Sequence, residues 1–208
     1  MTRRSTTRLS LLIAGLGLGP AGCDEASLDD GVVAGSQGSD DEGDGGSSEA
    51  SDEPGDPISL VDVEAWTMVV DPEDDPLADE RPDPVDCPLA TWGPEWGRLE
   101  IQTGACNYLF LRQPSLAPID RGDALEVVVF HDALDAAEPA QGHVALLIED
   151  EVVWEQTVDI PAEAEVLQEQ IPIDESWPEG AAIGLHLHNH GYNAWTLAEL
   201  TVIPRGGR

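Results

Sequence analysis

The segment Gly142-His-Val-Ala-Leu-Leu-Ile-Glu-Asp-Glu-Val-Val-Trp-Glu-Gln-Thr-Val-Asp-Ile160 holds two β-rich runs separated by a short acidic turn. In the second run Val152, Trp154, Gln156, Val158 and Ile160 alternate with Glu151, Val153, Glu155, Thr157 and Asp159. A period of two is the signature of a half-buried strand. Asp150-Glu151 between the runs predicts a tight hairpin.

The same texture extends outward from this segment to both sides. Strands are expected over 59–70, 98–103, 107–112, 124–130, 142–149, 152–160, 166–173, 181–189 and 194–203. Pro and Gly mark the turns between them, and no amphipathic helix of useful length is visible. Many short strands with regular turn signals predict an all-β fold: a single β-sandwich or jelly-roll domain spanning 58–208. About 150 residues is ample for one core.

Residues 24–57 have a different composition. They contain no aromatic and no basic residue, and are dense in Asp, Glu, Gly and Ser. Such a segment cannot bury enough apolar surface to offset chain ordering, so we expect a disordered acidic tether, extended by its own like charges. Asp40, Glu42, Asp44 and Gly45 mimic the start of a calcium loop, but its twelfth position is Ser51 rather than a bidentate Glu.

Before the tether stand Arg3, Arg4 and Arg8, an apolar run over 9–18, and Pro20-Ala21-Gly22-Cys23. The run is too short to span a bilayer, which needs about 20 apolar residues. A basic start, a short apolar centre and small residues at the end form the signal-peptide pattern. Ala21, Gly22 and Cys23 resemble the lipobox of bacterial lipoproteins, with Pro20 in place of the usual leucine. The resemblance implies a signal peptide over 1–22, lipidation of Cys23, and a location in the bacterial cell envelope on a membrane anchor.

The net charge is −33, and all nine basic residues are arginine. That balance excludes nucleic acid as a partner, because phosphate binding needs a basic face. With Cys23 acylated, Cys87 and Cys106 remain in an exported domain, where disulfides form and persist. Their spacing is not that of a CxxC metal or redox pair, so a structural disulfide is expected.

All five histidines lie in the β domain. His186, His188 and His190 alternate with Leu187 and Asn189, following Leu185. On a strand, alternate residues share a face about 6.6 Å apart. Such a ladder can supply ligands to zinc or copper, with His131 or His143 approaching from neighbouring strands. The competing reading is that these imidazoles satisfy their nitrogens with backbone and carboxylate groups.

Arg98–Thr103 leading to Tyr108 and Gln113, Gly122-Asp123 before Leu125–Phe130, and the closing Trp195–Val202 resemble the jelly roll of carbohydrate-binding modules and galactose-binding-like domains. The resemblance covers about half the chain. It implies a glycan ligand on exposed loop aromatics or on a sheet face, with Trp92, Trp96, Tyr108, Tyr192 and Trp195 as candidates and Asn189, Asn193 and His190 beside them. Some relatives hold a structural calcium on loop carboxylates. Trp66, Trp154 and Trp195 also fit core positions of strands.

No P-loop, dinucleotide fingerprint, CxxC or zincin motif occurs, so a non-catalytic protein is expected. The leading expectation is a cell-surface, lipid-anchored binding module for carbohydrate or another extracellular ligand. The alternatives are a metal-binding surface lipoprotein and a structural envelope lipoprotein with a protein partner.

Overall fold

The structure is a computed structural model and describes residues 54–206. The leader, Cys23 and most of the tether lie outside the described residues. Eleven strands follow in order: β1 (Ile58–Ser59), β2 (Thr67–Met68), β3 (Trp92–Glu95), β4 (Arg98–Gln102), β5 (Tyr108–Pro114), β6 (Ala124–His131), β7 (Ala140–Ile148), β8 (Glu151–Ile160), β9 (Glu165–Pro172), β10 (Ala182–Asn189) and β11 (Ala194–Ile203). One sheet has the order β3-β4-β11-β6-β9, with β1 also alongside β11; the other has the order β2-β5-β10-β7-β8. Every pairing is antiparallel. From β4 onward the chain changes sheet at every connection except the β7–β8 hairpin. The resulting quartets, β4-β11-β6-β9 and β5-β10-β7-β8, have the strand order of a jelly roll.

The apolar period of two places the core between the sheets. In β6 buried and half-buried residues alternate along all eight positions. Leu125, Val127 and Val129 face Leu109, Leu111, Leu146, Leu185 and Leu187 across the sandwich. Each fully buried aliphatic side chain contributes roughly 1.5–3 kcal/mol. In β11, Trp195 and Leu197 point inward, and so do Leu200 and Val202, although strict alternation would turn the last two outward. A register shift between Leu197 and Glu199 restores them; an extra residue in one strand does this to the pleat. A second shift opposite Leu146 and Leu147 leaves Val152 43% exposed while Trp154 is buried.

The expected hairpin is present, one residue earlier than read: Glu149 and Asp150 form the turn, both with positive φ, as a type I′ turn requires. Two expectations need correction. The strand expected over 59–70 is two strands of two residues, one in each sheet. Leu60 and Trp66 plunge into the core, and Asp62 turns the chain between them by accepting from the Glu64 and Ala65 amides. Conversely, Trp92–Glu95 reads as a Pro/Gly loop but pairs with β4.

The predicted disulfide Cys87–Cys106 is formed. It fastens one end of residues 71–88, a Pro-rich strap lying across the outer face of the second sheet. Leu77 and Val85 of the strap pack on Tyr108, Phe110, Ala145 and Leu147. Gly184 lies beneath this layer, where an added Cβ would come within 2.8 Å of the Phe110 ring.

Candidate functional site

Two places in the described residues bring chemistry-bearing side chains together. The first is the interface between strap and sheet. β5, β10 and β7 are adjacent, so their outward residues form rows: Tyr108 and Phe110, then Gly184, His186 and His188, then His143 and Ala145. The strap lays three clasps on this surface. At one end stands the disulfide, with Asn107 bonding the strap backbone at Asp86 and Pro84. In the middle, Tyr108 donates its hydroxyl proton to the buried Asp75 carboxylate at 2.7 Å, and Arg81 donates to the same oxygen at 2.9 Å. Burial first, then the Asp75 hydrogen bond, holds the Tyr108 phenol protonated far above its ordinary range.

The third clasp is Glu80. Its Oε2 lies 2.8 Å from Nδ1 of His143 and 3.2 Å from Nε2 of His186. The other nitrogen of His143 meets Glu155 at 3.0 Å. Burial opposes ionisation of Glu80, but the hydrogen bond from His143 and the nearby His143 and His186 rings outweigh it and hold the carboxyl below its usual value. His186 is fully buried, and neither ring nitrogen has a hydrogen-bond partner. Burial drives its pKa down to about 4, against the pull of Glu80 and Asp75 and with the push of His143 and His188. His188 is lowered as well, by burial and then by His190.

A pH dependence follows. Between pH 6.5 and 4 the unfolded chain takes up a proton at residue 186 that the folded chain refuses, so stability falls as pH falls through this window. The shift to about 4 corresponds to on the order of 3 kcal/mol. Chemical denaturation of chelator-treated protein at pH 7 and pH 4 should show this loss, and His186→Gln should reduce it. An equal loss in wild type and variant would refute the assignment to His186.

Of the five sequence-selected histidines, His143, His186 and His188 share this face. His190 lies just beyond β10, its ring 4.5 Å from that of His188. His131 is not among them: it sits in the first sheet, buried against Trp195, with Nδ1 on the Asp132 carbonyl. Glu80 and Glu155 were missed. Nothing in the local sequence marks Glu80 among its acidic neighbours. Glu155 stands opposite Ala145, two residues from His143, only because of the register shift opposite Leu146 and Leu147, which the turn alone does not reveal.

The second place is the β3–β4 hairpin. Trp96 at its tip is 94% exposed and has φ +51, a backbone region that a bulky side chain seldom enters. Beside it, Trp92, Glu95, Glu100 and Gln102 line a shallow cleft of about 170 Å³. The Glu100 side chain, by hydrogen bond and then by charge, raises the Glu95 pKa above its ordinary value. The remaining candidate ligand residues are dispersed. Tyr108, Asn189 and Trp195 are about 1% exposed, out of reach of a surface ligand. Tyr192 is 60% exposed but lies with Asn193 at the other end of β4 from Trp96, where the Asn193 carbonyl accepts from the Thr103 amide.

No family model and no curated protein matches the sequence. Among solved structures the chain is similar to a CBM4 carbohydrate-binding module, with TM-score 0.40 and 13% identity over 75% of this chain and 97% of that one. It is also similar to the CBM22-1–GH10 modules of Clostridium thermocellum endo-1,4-β-D-xylanase 10B complexed with xylohexaose, with TM-score 0.36 and 12% identity over 76% of this chain and 29% of that one. A third is TmCBM61 in complex with β-1,4-galactotriose, with TM-score 0.34 and 8% identity over 71% and 99%. At TM-scores this low no ligand is carried over from them.

Proposed function

We propose that the chain is an exported, lipid-anchored binding module of the bacterial cell envelope that holds a glycan at its β3–β4 hairpin. The reading of export and anchoring rests on the leader ending at Cys23 and on the acidic tether after it. The glycan reading rests on one observation: a tryptophan 94% exposed and held in a left-handed conformation at a hairpin tip. An exposed indole offers a broad apolar face and an N–H donor to a stacking ligand. The CH-rich face of a pyranose covers an indole well, and the sugar hydroxyls then need donors and acceptors at the rim. Glu95, Glu100 and Gln102 supply them. The work required of the site is recognition alone: stacking for affinity, rim hydrogen bonds for orientation.

The test is retention of the detergent-solubilised full-length chain on a panel of polysaccharides. One or more should retain it, and Trp96→Ala should weaken that retention by about tenfold or more, with unchanged melting temperature, because the side chain touches little of the fold. If no glycan retains the chain, or if Trp96→Ala binds as wild type, the reading fails.

A further inference from the structure

We propose that Glu80, His143 and His186 form a binding site for one divalent transition ion of the zinc type. The site is separate from the hairpin, which belongs to the other sheet. The three residues come from three segments: Glu80 from the 3-10 turn Ala78–Glu80 of the strap, His143 from β7 and His186 from β10. Their donor atoms all lie within 4.8 Å of one another. Zinc holds imidazole nitrogen and carboxylate oxygen at about 2.0–2.2 Å. The Glu80 side chain is 36% exposed and is free to adjust, whereas the two imidazoles are fixed on adjacent strands.

Three features distinguish this cluster from an ordinary ion pair. First, His186 is completely buried and both nitrogens lack a hydrogen bond. The 3.2 Å approach of Nε2 to Glu80 does not have hydrogen-bond geometry. Burying an unpaired polar ring costs free energy, and a metal bond at Nε2 removes that cost. Second, Glu155 holds Nε2 of His143 at 3.0 Å and leaves Nδ1 to face Glu80. A carboxylate behind a ligating imidazole is the usual way a protein fixes tautomer and orientation at a metal. Third, the His143 and His186 rings stand on adjacent strands with centroids 5.1 Å apart, so that two imidazoles meet one carboxylate.

Two imidazoles and one carboxylate suit zinc, and copper(II) more tightly, but not calcium, which takes six to eight oxygens. Because Glu80 sits on the strap and both histidines on the sheet, the ion joins the two.

The test is calorimetric titration and thermal melting of the full-length chain in detergent, stripped with chelator and titrated with zinc chloride in 150 mM sodium chloride. Expected is one saturable zinc per chain and, at 100-fold excess over Kd, a melting temperature raised by about 5–10 °C. Glu80→Gln and His143→Gln, which leave the buried His186 in place, should each weaken zinc by at least about tenfold while the zinc-free proteins melt within a few degrees of wild type. His190→Ala should leave zinc binding unchanged. The proposal is overturned if zinc gives no saturable site, if Glu80→Gln and His143→Gln bind as wild type, if His190→Ala abolishes binding, or if calcium raises the melting temperature as much as zinc.

Discussion

Asp75→Ala should cost about 3–4 kcal/mol of unfolding free energy, although the residue lies in a segment with almost no regular structure. The Asp75 side chain has no exposed surface, and one of its oxygens accepts from both Tyr108 and Arg81. The other caps the Leu77 amide at 3.0 Å. Removing it leaves Arg81, whose side chain is 14% exposed, without its counter-ion. Deleting one partner of a buried pair is far more damaging than never having had the pair. It also deprives a buried hydroxyl of its charged acceptor. Asp75→Asn keeps an acceptor for Tyr108 and should lose less. Equilibrium urea denaturation of both variants gives the two values; a loss below about 1 kcal/mol for Asp75→Ala would mean that the strap is not held by this network.

The second large effect is expected from the disulfide. Cys87 and Cys106 are 19 residues apart in sequence. Closing a loop of that size stabilises a fold by about 3 kcal/mol. Replacing both cysteines with serine should therefore lower stability by a similar amount and, because Cys87 ends the strap, should raise hydrogen exchange in residues 71–86 more than in β6 or β11. Uniform acceleration across the sandwich, or none at all, would show that the bridge does not act on the strap.

Much of the sandwich could be read from residues alone. Strands such as β6 and β8 have one wet face and one dry face, and their alternation records it directly. The β7–β8 hairpin was read at Asp150-Glu151, one residue late, because acidic turn residues interrupt two apolar runs. The short strands were unreadable for a physical reason. β1 and β2 each make two residue pairs, too few to impose a period on the sequence, and the segment between them is chosen by Leu60 and Trp66 finding the core. β3 was hidden by Gly93 and Pro94, which look like a loop even when they pair. The histidine ladder was legible as a ladder, since Leu185 and Leu187 mark the opposite face. Its partner Glu80 was not, because the strap's path across β10 and β7 is fixed by the jelly-roll strand order and by a bridge at Cys87, neither of which leaves a mark near residue 80.

The positions of β1 and the bridge together set how the protein answers a pull. Tension applied at residue 54 first meets the Gly55 amide on the Pro204 carbonyl, the two pairs of β1 and the Leu60 amide on Leu200. These rupture one after another as the segment peels from β11, then β2 from β5, then the strap from the sheet. Peeling stops at Cys87, where the chain is covalently held to Cys106. The residues from 54 to 87 would by then have paid out roughly 110–120 Å of chain at 3.3–3.6 Å each, while the strands from β3 to β11 keep their pairing. Under load the segment from residue 54 to Cys87 is thus a reel with a covalent brake, and a second ion-mediated catch at Glu80 would set the force at which it begins to run.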